Sequence, residues 1–306
     1  MTSRPIQIMS AMVGEVIADK YFLAKILGAG GNGTVFEARH VDDGRRFALK
    51  LIRVENPNTI ARFKLEVEAL CLLDHANTVR IFDWGEVDEG VFLVMELLEG
   101  GSLSQVLQRD GTIAPARAAQ IAYQVCLVLK AAHHQNIIHR DIKPGNIFLV
   151  QTGQTGGEWV KVLDFGIAKI VDTSRDVRVT QTGHIVGSPL YSSPEQIQGG
   201  DIDHRSDFYS LGCVLYHMLA GASPFEGKNT YDVLIKQVRE QPAPLDERRR
   251  DANLPLLPAQ DLMLRLYEQH LGQDLPVAGL LRLEGDRGSL STWVDEIGVA
   301  QVLPSG

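Results

Sequence analysis

The hydrophobic pattern of the first part of the chain repeats every second residue. "YFLAKILG", "TVFEARH" and "RRFALKLI" alternate apolar with polar positions, and "VDDG" stands between the second and third runs. Alternation of this kind is typical of strands, and an Asp-Gly pair between two strands is typical of a hairpin turn. Two more strand-like runs, "TVRIFDWG" and "GVFLVMELLEGG", follow. We therefore expect a sheet in the first part of the chain, followed by a glycine-containing connector.

Helical spacing dominates after these runs. In "ARAAQIAYQVCLVLKAAHH" apolar residues recur with a helical period, and "SDFYSLGCVLYHMLAG" is apolar on nearly every side. The second pattern predicts a buried helix, which Gly221 and Pro224 would end. The order of the patterns predicts an α+β fold with a small sheet-rich lobe, a linker at residues 97–101 and a larger helical lobe.

Composition narrows the function classes. A chain of 306 residues with 44% hydrophobic and 22% charged residues is typical of a globular protein with a sizeable core. Its net charge of -8 argues against a broad nucleic-acid-binding surface. Cys71, Cys126 and Cys213 stand in apolar stretches without CxxC spacing, which indicates core residues in a reducing compartment. The sequence has no apolar run near the ~20 residues of a membrane helix and no signal-peptide core, so we expect a cytoplasmic protein.

The stretch "LGAGGNGTV" contains a GxGxxG pattern at Gly28, Gly30 and Gly33. In a dinucleotide-binding fold this pattern opens a helix, whereas the residues that follow here are strand-like. The glycines therefore belong at a hairpin tip, where backbone N–H groups can approach phosphates closely. Taken alone, the motif favours a plain flexible turn.

A lysine stands inside the apolar strand "FALK". Alternation places Ala48 and Lys50 on one face of this strand and Phe47, Leu49 and Leu51 on the other. A buried lysine is costly without a partner, although a lysine on an edge strand can extend to water instead.

The next predicted helix offers Glu66 and Glu68 as partners for Lys50. Glu66 lies three residues after Phe63 and four before Leu70, so we place it on their inward face. We assign Glu66 as the partner of Lys50 and Glu68 to the solvent side.

"HRDIKPGN" and "KVLDFG" bring charged and amide groups together. Arg140, Asp141, Lys143 and Asn146 fall within eight positions, and Asp164 ends an apolar strand. A solvated surface loop and an Asx turn would explain each segment separately. Together they favour a site that handles a phosphate, a metal ion and a hydroxyl, because carboxylate and amide oxygens suit Mg²⁺.

The glycine loop, "FALK", Glu66, "HRDIKPGN", "DFG", "SPE" and "SDFYSLG" occur in the order and rough spacing of protein kinases. The chain resembles the bacterial subgroup of the eukaryote-like (Hanks-type) serine/threonine kinase family over roughly residues 15–245. The resemblance implies a two-lobed protein-kinase-like fold. Its implied segments are an N-terminal extension (1–14), an N-lobe (15–96), a hinge (97–101), a C-lobe (102–250) and a divergent C-terminal segment (251–306).

The resemblance also implies roles for these residues in phosphoryl transfer from ATP with Mg²⁺. Asp141 would accept the proton of the attacking hydroxyl and Lys143 would steady the phosphoryl group. Asn146 and Asp164 would hold Mg²⁺, and Lys50, fixed by Glu66, would bind phosphates. The implied ATP-binding residues are Leu27, Gly28, Ala29, Gly30, Gly31, Asn32, Gly33, Val35, Ala48, Lys50, the gatekeeper Met95, the backbone of Glu96 and Leu97, and Ser102 near the ribose.

The family pattern also points to substrates and regulation. Lys143 and the "GSPLY" segment resemble enzymes that act on Ser and Thr of proteins, with Ser188 in the place of the usual threonine. Arg140 beside the catalytic aspartate is typical of kinases activated by phosphorylation, and Thr180 and Thr182 match the acceptor pair of the bacterial subgroup. Family members often form homodimers to activate one another. No membrane span and no nucleic-acid partner are expected.

Two segments depart from the family pattern. "QTGQTGGEW" lengthens the turn between two strand-like runs and indicates a hairpin extension. Beyond about residue 250 the usual ending is not recognisable, which leaves Glu195 without an obvious partner other than Arg265 or Arg282. The alternative to an active kinase is therefore a nucleotide-binding scaffold with little catalytic activity.

Overall fold

The computed structural model describes residues 12–30, 33–54, 56–88, 90–151, 158–165, 189–252 and 254. Several predicted features lie outside the described residues. They are residues 1–11, most of the C-terminal segment, Gly31, Asn32, Thr180, Thr182, Ser188, Arg265 and Arg282.

The first part of the chain forms an antiparallel sheet of six strands in the order β1-β2-β3-β4-β6-β5. Helix α1 crosses between the fourth and fifth strands in sequence and begins at an Asn56 cap, whose side chain accepts from the Asn58 N–H. The elements are β1 (Val16–Ile17), β2 (Tyr21–Gly30), β3 (Gly33–His40), β4 (Arg46–Arg53), α1 (Pro57–Cys71), β5 (Ile81–Val87) and β6 (Gly90–Glu96).

The second part is mostly helical, with one small antiparallel sheet in the order β7-β8-β9. Short 3₁₀ turns occur at Pro144–Asn146 and Pro189–Tyr191. The elements are β7 (Gly100–Ser102), α2 (Leu103–Asp110), α3 (Pro115–His134), β8 (Ile147–Gln151), β9 (Glu158–Val162), α4 (Pro194–Gln198), α5 (His204–Ala220), α6 (Thr230–Arg239) and α7 (Leu245–Asp251).

Strand β4 separates two hydrophobic cores. Phe47, Leu49 and Leu51 pack into a small core on one face of the sheet. Ala48 lies in the main core, which continues into the helical lobe. The predicted two faces of this strand are therefore confirmed, and Lys50 is buried with 3% of its surface exposed.

Helix α5 is the centre of the helical lobe. Fourteen of its side chains are buried, as its nearly uniform apolar pattern predicts. Gly221 ends it in a left-handed conformation with φ 76°, a backbone region that favours glycine. The buried guanidinium of Arg249 on α7 donates to the carbonyl of Leu219, which ties the last described helix to α5.

The lobes are joined by more than the connector after β6. The loop after α1 forms a parallel bridge with β9 at Thr78 and Val162. Asn77 donates from its side chain to Gln124 Oε1 on α3 (2.9 Å) and to the carbonyl of Val160 (2.8 Å). The loop that follows α1 is therefore anchored to the helical lobe.

Candidate active site

The loop at residues 139–146 brings three predicted catalytic groups into contact. Lys143 Nζ donates to Asp141 Oδ2 at 2.7 Å. Asn146 Nδ2 donates to the same carboxylate oxygen (3.0 Å) and to the Asp141 carbonyl (2.8 Å). The other carboxylate oxygen of Asp141 has no described partner in the hydrogen-bond network of this loop. This arrangement fixes the carboxylate while leaving it partly exposed, as a general base requires.

A carboxylate on α5 holds this loop in place. Asp207, 1% exposed, accepts from the backbone N–H groups of His139 (2.8 Å) and Arg140 (2.7 Å), and its Oδ2 lies 2.8 Å from His133 Nε2. Arg140 has φ 63°, an uncommon backbone conformation for a residue other than glycine. Gln196 Nε2 donates to the Arg140 carbonyl at 2.9 Å and supports it from the other side. Sequence reasoning used "SDFYSLG" as a motif without giving Asp207 this role, although a carboxylate in an apolar helix was the available signal.

His139 supports Asp141 from within the core. Its side chain is fully buried, its Nδ1 accepts the Asp141 N–H (3.2 Å), and its Nε2 lies 2.9 Å from the Leu163 carbonyl. The Phe165 ring packs against the imidazole at a centroid distance of 4.4 Å. Burial lowers the pKa of His139, so the ring is neutral with its proton on Nε2. The ring links the catalytic loop to the segment that carries Asp164.

Lys50 is paired with Asp164, which corrects the predicted pair with Glu66. Lys50 Nζ lies 2.7 Å from Asp164 Oδ1, at the distance of an ion pair but without the alignment of a hydrogen bond. Asp164 itself, two residues after β9, has φ 56°, a left-handed conformation. Lys50 therefore contacts Asp164, one of the two residues expected to bind Mg²⁺.

Glu66 lies on the exposed side of α1. The inward residues of this helix are Thr59, Phe63, Val67 and Leu70. At about 100° per residue, Glu66 falls at the edge of that stripe, about 60° from Phe63. Its carboxyl pKa is raised because surrounding protein partly desolvates it, while the Arg140 guanidinium acts in the opposite direction. In this conformation the electrostatic environment of Glu66 includes Arg140, and Glu66 makes no ion pair with Lys50.

The glycine hairpin has two kinds of glycine. A methyl group at Gly28 or Gly30 would meet no atom within 4 Å, so packing does not require glycine there. Gly33 has φ 116°, and a methyl group there would collide with the Leu51 carbonyl. β2 and β3 pair Gly30 with Gly33, which confirms the hairpin. Gly28 and Gly30 leave the surface of the hairpin free of side chains. Gly33 is needed because a side chain there would collide with the neighbouring strand.

The predicted adenine-binding residues come together beside this hairpin. Ala48 pairs with Met95 across β4 and β6, and both are buried. Val35 and Leu97 pack partly buried against the same core, whereas Leu27 is 45% exposed. Apolar side chains of this kind suit contact with a flat ring. The binding of adenine by these residues stays a prediction.

Comparison with known proteins identifies the family. The model of the protein kinase domain matches residues 21–270. The chain belongs to the protein kinase family. The crystal structure of Rad53 1–466 in complex with AMP-PNP is similar, with a TM-score of 0.65 and 25% identity over 86% of this chain and 64% of that one. The two-lobed kinase fold is thereby confirmed.

Bacterial kinases are similar to this chain in sequence. Serine/threonine-protein kinase pkn3 of Myxococcus xanthus is 39% identical over 84% of this chain and 48% of its own length. Probable serine/threonine-protein kinase PknB of Corynebacterium glutamicum is 42% identical over 75% of this chain and 36% of its own length. Serine/threonine-protein kinase PknA of Mycobacterium tuberculosis is 40% identical over 78% of this chain and 55% of its own length. The chain thus spans about half or less of the length of these relatives.

Glu96, the last residue of β6 before the hinge, is engaged through its side chain and its N–H. The N–H donates to the Arg80 carbonyl (2.9 Å), so any nucleotide contact by this backbone must come from the carbonyl. Glu96 Oε1 accepts from Lys161 Nζ (2.6 Å) and from the Arg80 N–H (2.8 Å). Lys161 also donates to the Thr78 carbonyl (3.0 Å). The contacts of Lys161 on β9 were missed because sequence spacing does not join residues from separate elements.

Ser102 has a structural role beside its predicted ribose contact. Its hydroxyl accepts from the Gln105 N–H (3.3 Å), while Gln105 Oε1 accepts from the Ser102 N–H (2.9 Å). This capping box starts α2. The ribose contact stays a prediction.

The donor set fits a magnesium ion shared with phosphates. Asn146 turns its Nδ2 toward Asp141, which leaves an amide oxygen as donor, and Asp164 supplies carboxylate oxygens. Among the described residues, no group of three or more His, Cys, Asp or Glu side chains could enclose a metal by itself. A Mg²⁺ held by two protein side chains and completed by phosphate and water oxygens agrees with this set.

Two other expectations concern the helical lobe and the membrane. Glu195 accepts a hydrogen bond from the Ser206 hydroxyl at the start of α5, a partner that the sequence did not suggest. No helix in the described part of the chain is long and apolar enough to cross a membrane.

Proposed function

We propose that this chain is a serine/threonine protein kinase that transfers the γ-phosphate of MgATP to Ser and Thr hydroxyls of proteins. The observation that carries the proposal is the joint placement of Asp141, Lys143 and Asn146 in one hydrogen-bonded loop. Membership of the kinase family and the serine/threonine kinases among its relatives support it. So does the AMP-PNP in the Rad53 structure, since Val35, Ala48 and Met95 would offer apolar contacts to the ring of a nucleotide of this class.

The residues divide the chemistry among them. Asp141 orients the acceptor hydroxyl and takes its proton, and Lys143 neutralises charge on the transferred group. Lys50 binds the phosphates, and Asn146 and Asp164 would hold Mg²⁺. When bound, Mg²⁺ neutralises phosphate charge and lowers the cost of its build-up in the transition state. The glycine hairpin covers the phosphates with the open face of Gly28 and Gly30, with Leu27, Ala29, Gly31, Asn32 and Gly33 completing the loop.

We further propose that the chain activates itself by phosphorylation. In this conformation Lys50 pairs with Asp164, and Glu66 lies in the field of Arg140. A phosphate on Thr180 or Thr182 would pair with Arg140 and weaken its attraction for Glu66, which would favour a pair between Glu66 and Lys50. Transfer between two copies of the chain would supply that phosphate. Ser188 would bind Asp141 and Lys143 beside the protein substrate.

The partners we propose are proteins in a reducing compartment such as the cytoplasm. Cys71, Cys126 and Cys213 are not joined in disulfides, and the Cys71 thiol is exposed. The net charge of -8 offers no broad attraction for nucleic acid.

Intact-mass measurement during incubation with MgATP tests the proposed function. The wild-type chain is expected to gain mass in steps of one phosphate, whereas Asp141→Asn gains none. Mapping should place the phosphates at Thr180 or Thr182, and replacing both with Ala should lower transfer to a general protein substrate. The wild type is also tested after a second, active kinase has phosphorylated it. If the wild type transfers phosphate neither to itself nor to a protein substrate even then, the proposed function is rejected.

A further inference from the structure

A groove of about 440 Å³ lies next to the catalytic loop. Helix α2 contributes Leu107 and Gln108 to its wall, and the catalytic loop contributes Lys143 and Pro144. Tyr191 and His217, which contact each other, also line the groove. The groove therefore lies between the catalytic loop and two elements, α2 and the Tyr191–His217 region, that hold no residue assigned to phosphate transfer.

Lys143 connects this groove to the catalytic base. Lys143 is one of the lining residues, and its Nζ donates to Asp141 Oδ2 at 2.7 Å. A peptide whose acceptor hydroxyl lies at Asp141 would pass the groove within a few residues, because an extended chain advances about 3.3 Å per residue. The groove is thus placed to bind a side chain near the acceptor.

The charged and titratable groups of the groove are already paired. The Lys143 ammonium is neutralised by Asp141. His217 Nδ1 lies 2.7 Å from the Tyr191 hydroxyl, and the two rings stack with an interplanar angle of 7°. Burial lowers the pKa of His217, which keeps the ring neutral. No aspartate or glutamate lies among the described residues that line the groove.

We propose that the groove selects an apolar side chain of the protein substrate, two or three residues from the acceptor. This inference rests on the kinase function proposed above and names the substrate class of that enzyme. The wall offers carbon from Leu107, Pro144 and the Tyr191 ring, whereas a basic side chain would find no carboxylate and a neighbouring ammonium. An acidic side chain would have to displace Asp141 from Lys143.

Peptide binding tests the selection without any phosphate transfer. Fluorescent peptides carry Ala in place of the acceptor and Ala at all flanking positions except one, which is Leu, Arg or Asp. At one position within three of the acceptor site, Leu is expected to strengthen binding about tenfold over Ala, measured by anisotropy. Arg and Asp are expected to give no gain at that position. Tightest binding of an Arg or Asp peptide, or equal binding of all peptides, would overturn the inference.

A charge placed in the groove makes a sharper test. Gln108→Glu adds a carboxylate at an exposed position of α2, and should strengthen binding of the Arg peptide about fivefold. Gln135→Glu makes the same change at an exposed position after α3 and should leave all affinities unchanged. An equal response of both variants would overturn the inference.

The same peptides with Ser restored as acceptor separate the two proposals. Transfer that prefers Arg or Asp at the groove position would contradict the inference and keep the kinase function. The opposite result is selective binding of the Leu peptide without transfer to any peptide or protein, even after a second kinase has phosphorylated this chain. It would contradict the kinase function and keep the apolar selectivity of the groove.

Discussion

At the scale of single residues, the contact between Glu96 and Lys161 has a consequence for the hinge. The two side chains are 25% and 16% exposed, and their atoms lie 2.6 Å apart. Lys161 also binds the Thr78 carbonyl in the loop that follows α1. One ammonium group therefore connects the hinge, that loop and the strand that leads to Asp164. A partly buried pair of this kind is costly to break because one charge is left behind.

Lys161→Met is expected to lower the free energy of unfolding by about 1–2 kcal/mol, since the Glu96 carboxylate loses its partner in a half-buried place. Urea unfolding measures this change. Lys130→Met, at an exposed position of α3, is the control and should unfold like the wild type.

The double variant Glu96→Gln, Lys161→Met separates the interaction of the two side chains from the other contacts that each single variant loses. If the two residues act as a pair, the double variant loses less than the sum of the single variants. Strict additivity of the two changes would contradict the assignment. Under the proposed function, Lys161→Met should also raise the KM for ATP while Lys161→Arg restores it, because the effect acts through the position of the hinge.

At the scale of elements, the glycine hairpin separates folding from binding. Gly33 is required by its φ of 116° and by the Leu51 carbonyl on the neighbouring strand. Gly28 has neither constraint. A motif that sequence treats as one unit therefore contains residues with different physical reasons for being glycine.

Gly33→Ala is expected to lower the free energy of unfolding by about 2 kcal/mol or more, because the backbone conformation and the carbonyl both oppose a side chain. Gly28→Ala should leave it within about 0.5 kcal/mol. Thermal unfolding of both variants, compared at equal concentration, checks the difference. Under the proposed function Gly28→Ala instead raises the KM for ATP. Equal destabilisation by the two variants would show that the hairpin does not have this geometry.

At the scale of the whole molecule, the periodic features could be predicted and the long-range pairings could not. Alternation in β4 correctly predicted which side chains face which core, because a strand has only two faces. The buried character of α5 also followed from its pattern. Spacing on α1 was insufficient to predict the partner of Glu66. Glu66 lies at the edge of the inward stripe, so the rotation of the helix against the sheet decides whether its side chain faces inward or outward. That rotation depends on packing between elements.

The pairings of the site show the same limit. Lys50 with Asp164, Lys161 with Glu96 and Asp207 with the catalytic loop each join residues at least 65 positions apart. Sequence alone named most of the side chains of the site, from resemblance and residue type. It could not assign their partners, because several carboxylates and amines were available for each and only the folded geometry selects among them.

The stability of the whole molecule should depend on pH through one buried and two partly buried histidines. Burial lowers the pKa of His75, His139 and His217 in the folded chain. The unfolded chain takes up protons near pH 6.5, whereas the folded chain resists until lower pH. The unfolded state therefore binds more protons as pH falls below 6.5, and the free energy of unfolding decreases by up to about 1.4 kcal/mol per pH unit for each histidine.

Urea unfolding of the wild type at pH 7.5, 6.5 and 5.5 should show this decrease. His139→Asn removes one titrating group, so its free energy of unfolding should fall less steeply with pH even if it is lower at every pH. His217→Asn gives the same comparison at a partly buried position, and His134→Asn, at an exposed one, is the control. Because all variants share the other ionisable groups, the difference in slope belongs to the replaced histidine. If the free energy of unfolding of both His139→Asn and His217→Asn changed with pH as steeply as that of the wild type, neither ring would resist protonation in the folded chain. The hydrogen bond from the Asp141 N–H to His139 would then have to break without cost.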